Sequence, residues 1–127
     1  MSITHVRFFD GPQQVSNIGQ SNPVRARNYT DADGNPAGGY VHGPGLCVAF
    51  QDGPRGKDAD GKLKPANGAF VEDLLVAALQ RLEFFQQSRY VHEKNQEAIN
   101  HIVDALRALD TRARERSARG VLGKNEV

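Results

Sequence analysis

The residues best equipped for chemistry are five arginines near the C-terminal end of the chain, Arg107, Arg112, Arg114, Arg116 and Arg119. On a helix, residues three and four apart share a face, which sorts this run into paired and unpaired charges. Arg114 follows Asp110 by four residues and Arg119 follows Glu115 by four, so each has a carboxylate beside it. Arg112 and Arg116 instead lie four apart from each other, a like-charge arrangement that costs an isolated helix about 0.2 to 0.5 kcal/mol. Stacked guanidinium groups suit a phosphate or diphosphate, which accepts bidentate hydrogen bonds from each. Arginines in the last turns of a helix also favour its dipole, and that plain reading stands beside the anion site.

A second cluster lies upstream. Asn95 falls three and four residues before Ala98 and Ile99, on or beside an apolar face, where an amide needs a partner or a ligand. Asn is also a common helix-start residue, which is the structural alternative. Phe84, Phe85 and Tyr90 could offer a ring to a nucleobase, or simply fill a core. Catalytic patterns are absent: the sequence has no Gly-rich phosphate loop, no nucleophile elbow and no pair of cysteines at metal spacing. His92, His101 and Asp104 are close in sequence, with His101 and Asp104 expected side by side, yet structural or exposed roles account for them. Cys47 follows His42 by five residues on an expected strand, without the placement a Cys/His nucleophile requires. No catalytic residue, metal or cofactor is expected.

Two amphipathic helices between Asn67 and Gly120 must position these groups. Phe70, Leu74, Ala77, Ala78, Leu82 and Phe85 recur at helical spacing, as do Ala98, Ile99, Ile102, Val103, Leu106 and Leu109. The two stripes can bury each other as a helical hairpin. Between them the pattern lapses, and one unbroken helix would far exceed the roughly 25 residues at which a lone globular helix becomes suspect. A bend is therefore expected near Gln87 to Val91. Asn67 and Gly68 are the expected N-cap residues, followed by Glu72 and Asp73 at the positive end of the dipole. Gly120 suits the left-handed residue that ends the second helix.

The N-terminal half reads as short strands and turns. Ile3 to Phe9 alternates as a strand, and Val6-Arg7-Phe8-Phe9-Asp10-Gly11-Pro12 is echoed by Val48-Ala49-Phe50-Gln51-Asp52-Gly53-Pro54. The echo predicts two strands of one sheet, each stopped by the same turn chemistry. Asp31 to Pro36 separates Val24–Thr30 from Tyr40–Val41, as a loop joining two strands does, and 53–66 reads as a polar loop. The expected fold is α+β: a small antiparallel sheet over 1–66 packed with a helical hairpin over 67–127, in a single domain. With 127 residues, net charge +1, few aromatics and no Trp, the core is modest and a generally cationic coat is excluded. The single cysteine cannot form an internal disulfide, no apolar run approaches the roughly 20 residues of a membrane span, and no signal-peptide core is expected, so a soluble cytoplasmic protein is the default.

In combination, the phrases Phe85-Gln86-x-Ser88, Asn95, Arg112-x-x-x-Arg116 and Arg119-Gly120-Val121 resemble the phage Thoeris anti-defence sponge family. The strand ends Arg7-Phe8-Phe9-Asp10-Gly11-Pro12 and Phe50-Gln51-Asp52-Gly53-Pro54-Arg55 extend the resemblance across nearly the whole chain. The hairpin is also similar to that of phage anti-CBASS sponges. The resemblance implies a non-catalytic phage protein, acting in the host cytoplasm, that sequesters nucleotides signalling to bacterial immune effectors. The implied ligands are cyclic ADP-ribose isomers joined through a ribose–ribose bond, with cyclic di- or trinucleotides held by some members at a second site. It further implies a homodimer with the ligand at its interface, and dimers able to assemble to a hexamer. Carried onto matching positions, Phe85 packs on adenine, Asn95 hydrogen-bonds the ligand, and Arg112 with Arg116 binds the diphosphate. Tyr90, Arg119, Arg55 and Phe9 stand in or beside the same phrases as further candidate contacts. Val91-His92-Glu93-Lys94 departs from the family's Cys-Arg-Glu phrase, and 13–45 matches only loosely; Arg25 and Arg27 there read first as an exposed strand face. A nucleic-acid-binding module using the arginine helix, or a hydrolase using the same pocket, are the alternatives.

Overall fold

The computed structural model describes residues 11–13 and 24–125, the first group as backbone alone. These fall into two compact units that divide between Ala69 and Phe70. The arrangement is α+β, with an antiparallel sheet on the N-terminal side followed by two helices.

Four strands, β1 (Gly11–Gln13), β2 (Val24–Thr30), β3 (Pro36–Gly43) and β4 (Leu46–Phe50), run antiparallel in the order β1-β2-β3-β4. Pairing aligns Ala26, Val41 and Val48 across β2, β3 and β4 as an apolar row, with Ala26 buried. Strand alternation then places Arg25, His42 and Cys47 in a row on the opposite face, next to Arg27, Tyr40 and Ala49. The Tyr40 and His42 rings stack there, 5.3 Å between centroids.

The expected strand Ile3–Phe9 lies outside the described residues. Gly11-Pro12, read as the stop that follows it, pairs with Ala26 and Arg25 as part of β1. β1 is an edge strand, the position in a sheet where proline is tolerated. The second copy of the phrase does end its strand: β4 stops at Phe50 before Gln51-Asp52-Gly53-Pro54.

One turn chemistry is used twice. In the β2–β3 turn, Asp31 Oδ1 accepts from the backbone N–H of Asp33 and of Asn35, both at 2.9 Å. In 53–66, expected as plain loop, Asp58 Oδ1 accepts from the N–H of Asp60 at 2.9 Å and of Lys62 at 3.0 Å. The latter closes a small hairpin in which Lys57 bridges Leu63 and Lys64 N–H donates to Gly56 O. Both turns read Asp-Ala-Asp-Gly, and the glycines, Gly34 and Gly61, adopt φ of +82° and +79°. Asp supplies the local acceptor and Gly the left-handed step, so the same four residues fold alike in both places.

Asn67 is not the cap of the first helix. Its Oδ1 accepts from Asp52 N–H at 2.8 Å, its Nδ2 donates to Asp52 O at 3.0 Å, and its own N–H donates to Gln51 Oε1 at 2.8 Å. The amide thus clasps the end of β4, where Ala69 bridges Phe50. Helix α1 spans Val71–Gln86, with Phe70 as its extended N-cap residue. Phenylalanine has no acceptor to offer, and the Asp73 carboxylate compensates by accepting from Phe70 N–H at 2.8 Å.

Helix α2 spans Glu93–Ala118, and the expected bend is a break at 87–92. In α2 the stripe stands as read: Ile99 is buried and Ala98, Ile102, Val103, Leu106 and Leu109 are half-buried. In α1 it is rotated, because Leu74, Leu75, Leu79, Leu82 and Phe85 are half-buried whereas Phe70, Ala77 and Ala78 are exposed. Leucine area outweighs alanine in deciding which side faces α2. No residue of α1 is fully buried, and Val71, Val76 and Phe84 are each more than half exposed.

Candidate functional site

The break between the helices is closed by side chains rather than by Gly or Pro. After Gln86, Ser88 Oγ donates to Phe85 O at 2.6 Å and accepts from Tyr90 N–H at 3.1 Å. His92, the N-cap residue of α2, accepts from Lys94 N–H through Nδ1 at 2.9 Å. Gln86 Oε1 accepts twice, from His92 N–H and from Asn95 Nδ2, each at 3.0 Å. Asn95 Nδ2 also donates to Tyr90 O at 3.0 Å. Asn95 stands in the first turn of α2, where side chains lean back toward the helix start, and this lets it reach the preceding loop. The amide that sequence placed beside an apolar face therefore has protein partners, and it is half-buried.

Phe85 is half-buried on the same turn, and Arg81 holds its guanidinium carbon 5.1 Å from the Phe85 ring centroid and 5.2 Å from that of Phe84. Tyr90 is 63 % exposed, and Arg89 lies over its ring while donating from Nη2 to its hydroxyl at 2.8 Å. Arg81 and Arg89 are the residues of this cluster that sequence reasoning did not name, and Gln86 entered only within the phrase that carries the resemblance. Arg81 was legible through its (i, i+3) and (i, i+4) spacing to Phe84 and Phe85. Gln86 carried no such signal, since its partners lie beyond the end of its own helix.

At the other end of α2 the expected Arg114–Asp110 pair forms, whereas Arg119 meets Glu115 only through its backbone N–H and not through the expected ion pair. Arg114 pairs with Asp110 at 2.9 Å, and Arg107 lies 3.6 Å from Asp104. Arg112 is exposed, and among the described residues none bonds to its guanidinium. Arg116 is half-buried, and its Nη2 donates to Val121 O at 3.1 Å and to Lys124 O at 3.0 Å. The backbone turns through a Schellman motif, with Val121 N–H on Arg116 O and Gly120 N–H on Ser117 O, both at 3.0 Å. Gly120 has φ +74° and Val121 is buried against the turn. Arg119, the C-cap residue, is likewise engaged.

Of the other candidates, Arg55 belongs to the sheet unit, where its Nε donates to Lys64 O at 2.6 Å; Phe9 lies outside the described residues. His101 faces Glu97 at 4.0 Å, not Asp104 as sequence spacing implied. Glu97 is held below the usual glutamate range by the hydrogen bond from Lys94. Cys47 is exposed opposite His42. Among the described residues, no three His, Cys, Asp or Glu side chains gather to hold a metal ion, and no helix is long and apolar enough to cross a membrane.

No family model matches the chain. It is 41% identical over 61 residues to Thoeris anti-defense 1 of Bacillus phage SBSphiJ7. Those residues make up 48% of this chain and 43% of the relative, so the chain spans less than half the length of the curated protein it matches. Over that stretch the chain is similar to a phage Thoeris anti-defence protein, the same family that its hairpin phrases and strand ends resemble.

Proposed function

We propose that the chain is a phage anti-defence sponge, which binds cyclic ADP-ribose isomers and holds them away from a Thoeris effector without converting them. The observation that carries this reading is the pair Arg112 and Arg116 on one side of α2, in a chain similar to Thoeris anti-defense 1. Among the described residues no carboxylate pairs with the Arg112 guanidinium, and Arg116 is held in place by the Val121 and Lys124 carbonyls. A diphosphate offers both groups bidentate acceptors, and guanidinium is less strongly hydrated than ammonium, so it is the cheaper cation to bring against an anion. In this reading Phe85 packs on the adenine and Asn95 hydrogen-bonds the ligand.

A second copy of the chain completes the site. The side of α1 that carries Val76 and Phe84 is exposed in the single chain, and a homodimer covers it and brings the ligand to the interface. Dimers assemble further to a hexamer, and cyclic di- or trinucleotides, the messengers of CBASS, occupy a second site. The sponge works by mass action alone: it must outnumber the messenger and bind it more tightly than the effector does. No general acid, base or metal is needed.

The test is recovery of the ligand. Protein incubated with a cyclic ADP-ribose isomer and then heat-denatured should release the nucleotide unchanged in mass and retention time. Converted product would make the protein an enzyme. Affinity for duplex or single-stranded nucleic acid that falls steeply with salt, without affinity for the nucleotide, would make it a nucleic-acid module.

A further inference from the structure

The sheet unit holds its last residues with an asparagine that behaves as a piece of backbone. Ala69 N–H donates to Ala49 O at 2.8 Å and Ala69 O accepts from Gln51 N–H at 3.0 Å, a parallel bridge beside Phe50. One step along, the Asn67 side chain takes over, with Oδ1 on Asp52 N–H and Nδ2 on Asp52 O. A side-chain amide carries the donor and acceptor of a peptide group, so it extends the ladder where the main chain bends. Gln51 Oε1 adds a third hold by accepting from Asn67 N–H. Between Asn67 and Ala69 only glycine fits, because a Cβ on Gly68 would stand 2.6 Å from the Phe50 carbonyl carbon and oxygen. The packing of this junction therefore dictates Asn followed by Gly.

That pair is also prone to modify itself, since glycine's missing side chain lets its nitrogen approach the preceding amide carbon. Of the eight asparagines in the chain, Asn67 alone precedes glycine. Asn67 is exposed, and among the described residues none accepts from Gly68 N–H. The nucleophile is ready, and the restraint lies on the side-chain amide it must reach.

We infer that Asn67 is a deamidation site kept latent by its clasp on Asp52, and that conversion undoes the hold of 67–69 on β4. The reaction runs only as often as the clasp opens. The Gly68 nitrogen, having lost its proton to solvent, then attacks Asn67 Cγ; the new C–N bond closes a succinimide, and Nδ2 takes up a proton and leaves as ammonia. Water opens the ring at either carbonyl, leaving aspartate or isoaspartate at 67. Either product lacks the donor that met Asp52 O and sets a carboxylate oxygen against that carbonyl. Isoaspartate also lengthens the main chain by a methylene, which takes Ala69 out of register with Phe50.

The test is a time course on the full chain at mildly alkaline pH, folded or in guanidinium chloride, read by peptide mass spectrometry and an isoaspartate assay. Asn67 should convert before any other asparagine, and at least about tenfold faster in denaturant, since two hydrogen bonds of ordinary net worth set that restraint. Gln51→Ala, shown folded by circular dichroism, should raise the folded-state rate at least about threefold by removing one hold. Gln51→Glu keeps an acceptor for Asn67 N–H and should keep the wild-type rate. Asn67→Asp, the product made permanent, should lose hydrogen-exchange protection at the Ala69 and Gln51 amides while the β2–β3 pairing stays protected. Earlier conversion of another asparagine overturns the site. Equal rates with and without denaturant, an unchanged rate in folded Gln51→Ala, or equal acceleration in Gln51→Glu overturns the restraint by the clasp. If Gln51→Ala does not fold, the comparison with denaturant decides. Full protection of Ala69 in Asn67→Asp overturns the loss of hold.

Discussion

The two ends of α2 solve the same problem with different groups, and the difference decides what each can offer a ligand. At its start, side-chain amides and an imidazole satisfy the backbone, so Asn95 has its donors spent and its acceptor left. At its finish, glycine and backbone carbonyls make the turn, and Arg116 spends donors on Val121 and Lys124 while Arg112, one turn earlier, spends none on the described protein. Hydrogen-bonding capacity used in folding is not available twice. In the proposed site these residues are thus unequal: Arg112 would act on the ligand alone, whereas Arg116 and Asn95 serve the fold as well.

Mutations can sharpen that contrast. Arg112→Ala should cost about 1.5 to 3 kcal/mol of nucleotide binding by calorimetry, the worth of a charged hydrogen bond, with unfolding free energy changed by less than about 0.5 kcal/mol. Arg116→Ala should cost similar binding and in addition about 1 kcal/mol of stability in urea denaturation, from the two lost carbonyl contacts. If both variants shift stability equally, the division of labour is wrong. Asn95→Ala should destabilise the hairpin by about 1 to 2 kcal/mol, since Gln86 Oε1 and Tyr90 O each lose a donor. Gly120→Ala should cost about 1 kcal/mol through its positive φ and leave ligand affinity unchanged.

The smallest effect lies in the sheet. Asp31 is held below its ordinary value of 3.8 by hydrogen bonds, first from the Asn35 backbone and then from the Asn35 side chain. A depressed folded value means that these bonds stabilise the β2–β3 turn above the ordinary aspartate range and are lost as pH falls through the folded value. NMR titration of the Asp31 carboxyl should give a midpoint below that of the same residue in an unstructured peptide.

What sequence showed depended on whether the signal was local. β2 has the limits expected of it, whereas β3 already begins at Pro36, inside the expected loop and before Tyr40; α2 with its glycine stop followed from periodicity and Gly120. The break at 87–92 was placed by the lapse in that periodicity, although its closure by Ser88, His92 and Gln86 was not visible. Asn67 misled because asparagine signals both a helix start and a turn, and only the contact with Asp52, fifteen residues away, chooses between them. The hairpin at 56–64 was missed, because 53–66 was read as polar loop; its signal was the Asp-Ala-Asp-Gly phrase shared with the β2–β3 turn. Leu75 and Leu79 were outweighed on paper by a stripe that included two alanines. Of the candidate site, the arginine spacing gave the Asp110–Arg114 pair and left Arg112 bare, whereas the hold on Arg116 comes from the chain after the helix and lay beyond any helical spacing rule.

The central claim is that guanidinium groups of α2 bind the diphosphate of a cyclic ADP-ribose isomer. Isothermal titration of that nucleotide into wild type, Arg112→Ala and Arg116→Ala measures it most directly. The account predicts saturable binding to wild type and a loss of about 1.5 to 3 kcal/mol in each variant. Wild-type affinity in both folded variants would contradict it.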